Sequence, residues 1–155
     1  MSLIRLVYFS ENRLGIGGRH AKILELHAVS VARNREVDVT GALLHDDFWF
    51  IQSLEGERDA VEATYARIEA DRRHRNARIV SKGKVAARLF PTWAMGLATR
   101  TAPNEVLFGK HLRNNRLSPV GMGEVEILGL MHDLAASGLL RRDAPVGERR
   151  LAVSE

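Results

Sequence analysis

Tyr8, Gln52, Trp93 and Met95 are the side chains placed to do chemistry from inside a folded core. Each sits in a run that otherwise reads as buried strand: LIRLVYFS, FWFIQSLEG and FPTWAMG. A buried amide costs about 1–3 kcal/mol for each group left unmatched, and it must donate at one end and accept at the other. An inward Gln52 therefore requires partners. Alternation puts Phe48, Phe50 and Gln52 on one face of their run and Trp49, Ile51 and Ser53 on the other. A solvent-facing Gln52 is compatible with that period, but both faces carry large apolar neighbours, which favours an inward amide whose partner is not water.

Other constellations do less. Gly15, Gly17 and Gly18 follow a strand-like run, as in a phosphate cradle, but the dinucleotide fingerprint needs a third glycine where His20 stands. A turn that uses glycine's backbone freedom explains them. His45 with Asp46 and Asp47, and His132 with Asp133, lack metal-ligand spacing and read as surface turn and helix residues, so no metal is expected. Ser10, Ser30 and Ser53 lie near no glycine elbow, which leaves nucleophilic catalysis unsupported. Glu55 and Asp71 flank a helix of about 16 residues, which at 1.5 Å per residue holds them roughly 20 Å apart, too far for an acid–base pair.

The elements that must position these groups follow from periodicity. Leu3 to Ser10, Val37 to Leu44, Phe48 to Leu54, Ala77 to Arg88 and Phe90 to Leu97 read as strands, the second and third joined in a hairpin by His-Asp-Asp. Ala21 to Asn34 and Glu57 to Asp71 read as helices, the latter with Val61, Tyr65 and Ile68 on one face. Ala77 to Arg88 is the more polar strand and belongs nearer an edge. The order β-α-β-β-α-β-β predicts an α+β, ferredoxin-like sandwich: a five-stranded sheet with two helices on one face. After Thr101, Pro103-Asn104 opens a short helix and Ser118-Pro119 a longer one to about Leu140. The apolar side chains Val125, Ile127, Leu128, Leu130, Met131, Leu134, Leu139 and Leu140 are predicted to cover the other face of the sheet. The boundaries that result are a domain over residues 1–100, a helical cap over 101–142 and a poorly ordered tail over 143–155.

Composition narrows the class. The chain has 155 residues, 45% of them hydrophobic and 27% charged, enough for one sizeable core. The absence of cysteine removes disulfides and thiol chemistry. No apolar run reaches the roughly 20 residues that cross a bilayer, and no export signal is visible, so a cytoplasmic protein with no membrane partner is expected. The net charge of +4 is spread over short clusters, Arg72, Arg73, Arg75 and Arg78, then Arg141 and Arg142, then Arg149 and Arg150, with acidic residues between. Nucleic-acid binding wants a contiguous basic face and is not expected.

Over about its first hundred residues the chain resembles the BLUF family, blue-light sensors using FAD. The resemblance is carried by RLVYFS at Arg5 to Ser10, RNREVDVTGALL at Arg33 to Leu44, FIQSLEG at Phe50 to Gly56, RIEADRRH at Arg67 to His74 and RLFPTWAMG at Arg88 to Gly96. It implies non-covalent FAD between the two helices, with its ring against the sheet. By position, Tyr8 resembles the photochemical electron and proton donor and Gln52 the relay between that phenol and the flavin. Asn34 matches an asparagine at the flavin edge, and Arg33, Ser30, Phe50, Arg67, Ile68 and Asp71 fall at further cofactor-binding positions. Trp93 and Met95 match a switching pair on the fifth strand.

The resemblance further implies that no catalytic domain is attached and that output runs through that strand and the following helices. A homo-oligomer and a separate, unidentified effector protein are the expected partners. Val39 stands where isoleucine is commoner in the family and Arg33 where histidine or asparagine is. A flavin-free hydrolase and a nucleic-acid-binding module are the alternatives on the same sandwich.

Overall fold

The computed structural model describes residues 2–14 and 19–141. At its centre lies β3 (Trp49–Glu57), whose seven interior residues are all buried. It pairs antiparallel with β1 (Leu3–Asn12) on one side and with β2 (Thr40–His45) on the other. β4 (His74–Lys84) adds antiparallel to β1, and β5 (Gly96–Thr99) adds parallel to β2, which gives the order β4-β1-β3-β2-β5. The polar run expected near an edge is the edge strand β4. The β2–β3 hairpin is closed by Asp46, whose carboxylate accepts from the backbone N–H groups of Phe48 and Trp49 at 2.8 Å. Asp46 and its neighbour His45 are thus buried and structural, which corrects their reading as surface residues: His45 Nε2 lies 2.6 Å from Thr99 Oγ1 on β5.

Helices α1 (Arg19–Glu36) and α2 (Arg58–Glu69) cover one face. Glu57 caps α2 by accepting from the N–H groups of Asp59 and Ala60. A first core joins Ile4, Leu6, Leu43, Phe50 and Leu54 of the sheet to Ile23 and Val31 of α1 and Val61 and Tyr65 of α2. A second core, on the opposite face, joins Val7, Phe9, Ala42, Leu44 and Ile51 to the C-terminal segment. That segment holds a short helix α3 (Glu105–Gly109), a two-residue hairpin of β6 (Leu112–Arg113) and β7 (Arg116–Leu117), and α4 (Glu124–Ala136). Phe108, Leu117, Ile127, Leu130, Met131 and Leu134 are its buried side. The long helix expected from Ser118 begins only at Glu124, after a single 3-10 turn over 119–121, and the hairpin was not anticipated. Val125, placed among the covering residues, is 87% exposed, because helical rotation turns it away from Ile127 and Met131. Gly15, Gly17, Gly18 and the tail over 143–155 lie outside the described residues.

The fifth strand is the main departure. It starts at Gly96, so Trp93 and Met95 stand in the loop before it and not on it. That loop is anchored by Glu55, whose fully buried carboxylate on β3 accepts from the backbone N–H of Leu89 at 2.8 Å and Phe90 at 3.0 Å and pairs with Arg5 Nη2 at 2.9 Å. Arg88 adds a bond to Thr40 Oγ1 at 3.1 Å. Removing the carboxylate with Glu55→Ala orphans the buried N–H of Phe90, the half-buried N–H of Leu89 and the Arg5 cation. It is expected to destabilise the fold by about 3–5 kcal/mol in urea denaturation.

Candidate functional site

Tyr8 and Gln52 stand directly opposite each other in the β1–β3 register, which puts their side chains on the same face, beneath α1 and α2. Leu43 flanks Gln52 from β2. Tyr8 is 2% exposed and Gln52 3%. The Tyr8 hydroxyl donates to Gln52 Oε1, and Gln52 Nε2 points at Met95 Sδ, 3.3 Å away. Behind Tyr8 the pairing of β1 with β4 slips twice, between Val7 and Tyr8 and between Phe9 and Glu11, with the extra residue on β4 each time. Such bulges sharpen the local twist where the phenol emerges. Tyr65 of α2 packs edge-on against the Tyr8 ring at 5.2 Å. Burial, reinforced by Tyr65 and Asp71, pushes the Tyr8 phenol well above its ordinary pKa, so it stays protonated as a donor.

Two adjoining clefts open above this pair between the helices. The first, about 400 Å³, is lined by Tyr8, Leu26, Leu43, Phe50, Gln52 and His74, among others. The second, about 430 Å³, takes in Arg33, Asn34, Thr64 and Arg67, and both share Leu26, Ser30, Gln52, Ile68, Asp71 and Arg73. The clefts thus bring together Tyr8, Gln52, Ser30, Arg33, Asn34, Phe50, Arg67, Ile68 and Asp71. Trp93 and Met95 line neither. Met95 is fully buried in the helix-side core, whereas Trp93 is half-buried against the second core, on the far side of the sheet.

Asp71 is held by Arg73, its Oδ1 accepting from Arg73 Nε at 2.9 Å, and this contact keeps its carboxyl below the usual range. His74 joins three elements: Nδ1 meets Ser10 Oγ at 2.6 Å and Nε2 meets the Ile68 carbonyl. Leu26, Leu43, Thr64, Arg73 and His74 are cleft residues that sequence reasoning passed over. Thr64 and Leu26 stand one helical turn before Ile68 and Ser30, so extending those two positions by four residues would have found them. Among the described residues no cluster of histidine and acidic side chains could hold a metal.

Residues 3–96 match the family described as BLUF, sensors of blue-light using FAD. The photoactivated adenylate cyclase subunit beta of Euglena gracilis is 30% identical over 94 residues, which are 61% of this chain and 11% of that protein. The chain therefore spans only a small part of the curated relatives it matches. The dark-state structure of BlrB, a BLUF protein, superposes with a TM-score of 0.74 at 29% identity, covering 89% of this chain and 98% of that one. A bacterial light-regulated adenylyl cyclase gives 0.59 at 29% identity, with 88% of this chain and 34% of the cyclase covered.

The burial of Tyr8 sets a sign for alkaline stability. A phenol whose folded pKa is raised adds stability that is complete below the unfolded value of 10.0 and is lost as pH climbs above it. Stability is expected to fall above about pH 10, and Tyr8→Phe is expected to flatten that fall in denaturation curves recorded between pH 8 and 11.

Proposed function

This chain belongs to the BLUF family, sensors of blue light using FAD, and on that premise we propose that Tyr8 and Gln52 are its photochemical relay. The protein is a flavin-based photoreceptor. The lining suits such a ligand: Leu26, Leu43, Phe50 and Ile68 would offer apolar contact to a planar ring, and Arg33, Arg67 and Arg73 line the clefts as cations for a diphosphate-bearing tail. Thr64 Oγ1 is buried in the second cleft without a hydrogen-bond partner, an unmet group of the kind a polar ring edge would satisfy. Gln52 Nε2 has only a thioether, a weak acceptor, opposite it. Asn34, Arg33, Ser30, Phe50, Arg67, Ile68 and Asp71 are the residues we assign to holding the flavin.

When bound, a flavin absorbs blue light and becomes a strong one-electron oxidant. Tyr8 is the donor the cleft supplies, and the carrying observation is its hydrogen bond to Gln52. A phenol that loses an electron becomes a strong acid, and its proton has one direct acceptor, Gln52 Oε1. Return of the electron returns the proton. In the interval the amide is released from the arrangement that points Oε1 at Tyr8 and Nε2 at Met95. Re-formed the other way round, the amide directs an N–H toward Tyr8 and its oxygen toward Met95 Sδ, which ends the N–H···S contact. The changed amide alters the hydrogen bonding of whatever occupies the cleft and the seat of Met95 together.

Output then passes from the Trp93–Met95 loop into the segment after Thr101, whose core Trp93 touches. We assign residues 1–100 to flavin binding, 101–142 to a cap that transmits the signal, and contacts with a second copy or a separate effector protein to the response, in the cytoplasm. No helix among the described residues is long and apolar enough to cross a membrane. A base-stacking module is disfavoured because α4 occupies the sheet face it would need.

Blue illumination of the FAD-loaded protein is expected to shift its absorption to the red, with slow return in darkness. Tyr8→Phe and Gln52→Leu are each expected to keep the flavin and lose essentially all of the light-induced shift. A normal photocycle in either variant removes that residue from the relay. In size-exclusion chromatography, light is expected to change the elution of the wild type and not of Gln52→Leu.

A further inference from the structure

Three consecutive main-chain carbonyls before β5 are each held by a different donor. The Trp93 carbonyl accepts from the Gly41 N–H at 3.0 Å, the Ala94 carbonyl from Asn34 Nδ2 at 2.8 Å, and the Met95 carbonyl meets His27 Nε2 at 2.6 Å. Because a carbonyl only accepts, His27 carries its proton on Nε2. His27 and Asn34 stand seven residues apart on α1, two helical turns along one face. The side chain of His27 is 6% exposed and lines neither cleft.

We propose that His27 is a positioning residue for the photochemical relay, clamping the Met95 main chain so that the Met95 thioether stays against the Gln52 amide. This rests on the relay reading above. The Met95 side chain meets Gln52 only through an N–H···S contact at 3.3 Å, too weak to seat the loop by itself. The loop's position is set instead by its carbonyl bonds. Of these, the Gly41 bond is backbone and Asn34 also lines the second cleft. His27 is the separable clamp, and it acts on the residue that touches the relay. When the amide turns and the contact to Met95 Sδ is lost, the imidazole bond resists displacement of Met95. His27 therefore sets both the seat of Met95 before illumination and the rate at which it returns.

The test compares His27→Leu, which fills the space without a donor, with His27→Gln, whose amide N–H lies close to the place of Nε2. Methyl-¹³C-methionine spectra of the flavin-free protein read the Met95 seat without any photochemistry, and dark-recovery rates of the FAD-loaded protein read the relay. We expect His27→Leu to move the Met95 methyl resonance and change the recovery rate at least threefold, while His27→Gln stays within twofold of the wild type in both. The proposal is overturned if His27→Leu matches the wild type in both, or if the two variants are displaced equally. Should His27→Leu not fold, ¹⁵N spectra of the wild-type imidazoles, assigned by difference with His27→Gln, decide: a proton on Nε2 of His27 supports the clamp and its absence refutes it. A wild type with no light-induced shift but with the expected methyl and imidazole spectra would remove the relay reading and leave the clamp standing as a structural fact.

Discussion

A single hydrogen bond, from the Tyr8 phenol to the Gln52 amide oxygen, constrains most of what surrounds it. Both groups are buried, so each must be satisfied within the fold, and an amide satisfied at its oxygen still has an N–H to place. The antiparallel register of β1 and β3 makes the first contact inevitable once both side chains face the helices. The second falls to Met95, a residue outside the sheet. The amide therefore links a position fixed by strand pairing to a loop held by hydrogen bonds from Gly41, Asn34 and His27.

The ladder-built parts of the fold were legible, and the parts held by individual side chains were not. Alternation in FWFIQSLEG put Phe50 and Gln52 on one face, because a period of two leaves each residue only two faces, and the β1–β3 register then sets Tyr8 beside Gln52. The same reasoning failed at RLFPTWAMG. Its apolar composition reads as strand, yet residues 93–95 bond to a glycine, an asparagine and a histidine distant in sequence and leave no ladder pattern to detect. Glu55 enters the sequence reading only as half of an acid–base pair, and its anchoring role was not legible, since nothing in a strand sequence shows that Arg5 and the N–H groups of Leu89 and Phe90 converge on its carboxylate. The cofactor-binding positions came from resemblance to a family. Periodicity says where a side chain points, not what it meets there.

One sheet serves two cores, and the Trp93–Met95 loop is where they meet. Met95 belongs with Tyr8 to the helix-side core, while Trp93, two residues earlier, packs against the cap-side core that contains Phe90, Ile127 and Leu140. Next to Met95, Gly96 has no room for even a methyl group: a Cβ there would stand 2.6 Å from Leu140 and 2.7 Å from the Trp93 ring. Packing this close transmits displacement instead of absorbing it. Met95 is thus joined through Gly96, at the start of β5, to both Trp93 and Leu140.

The outer margin of β5 is already occupied. Leu97 donates to the Arg141 carbonyl at 2.8 Å and accepts from the Arg141 N–H at 2.6 Å, so the chain closes its own sheet there with a one-residue bridge. At the opposite margin, β4 is kinked by its two bulges and bears Arg75, Arg78, Lys82 and Lys84. Neither border offers the flat, unpaired and uncharged rim that lets sheets of separate molecules fuse end to end into fibres. Copies of the protein can thereby crowd together without their sheets joining.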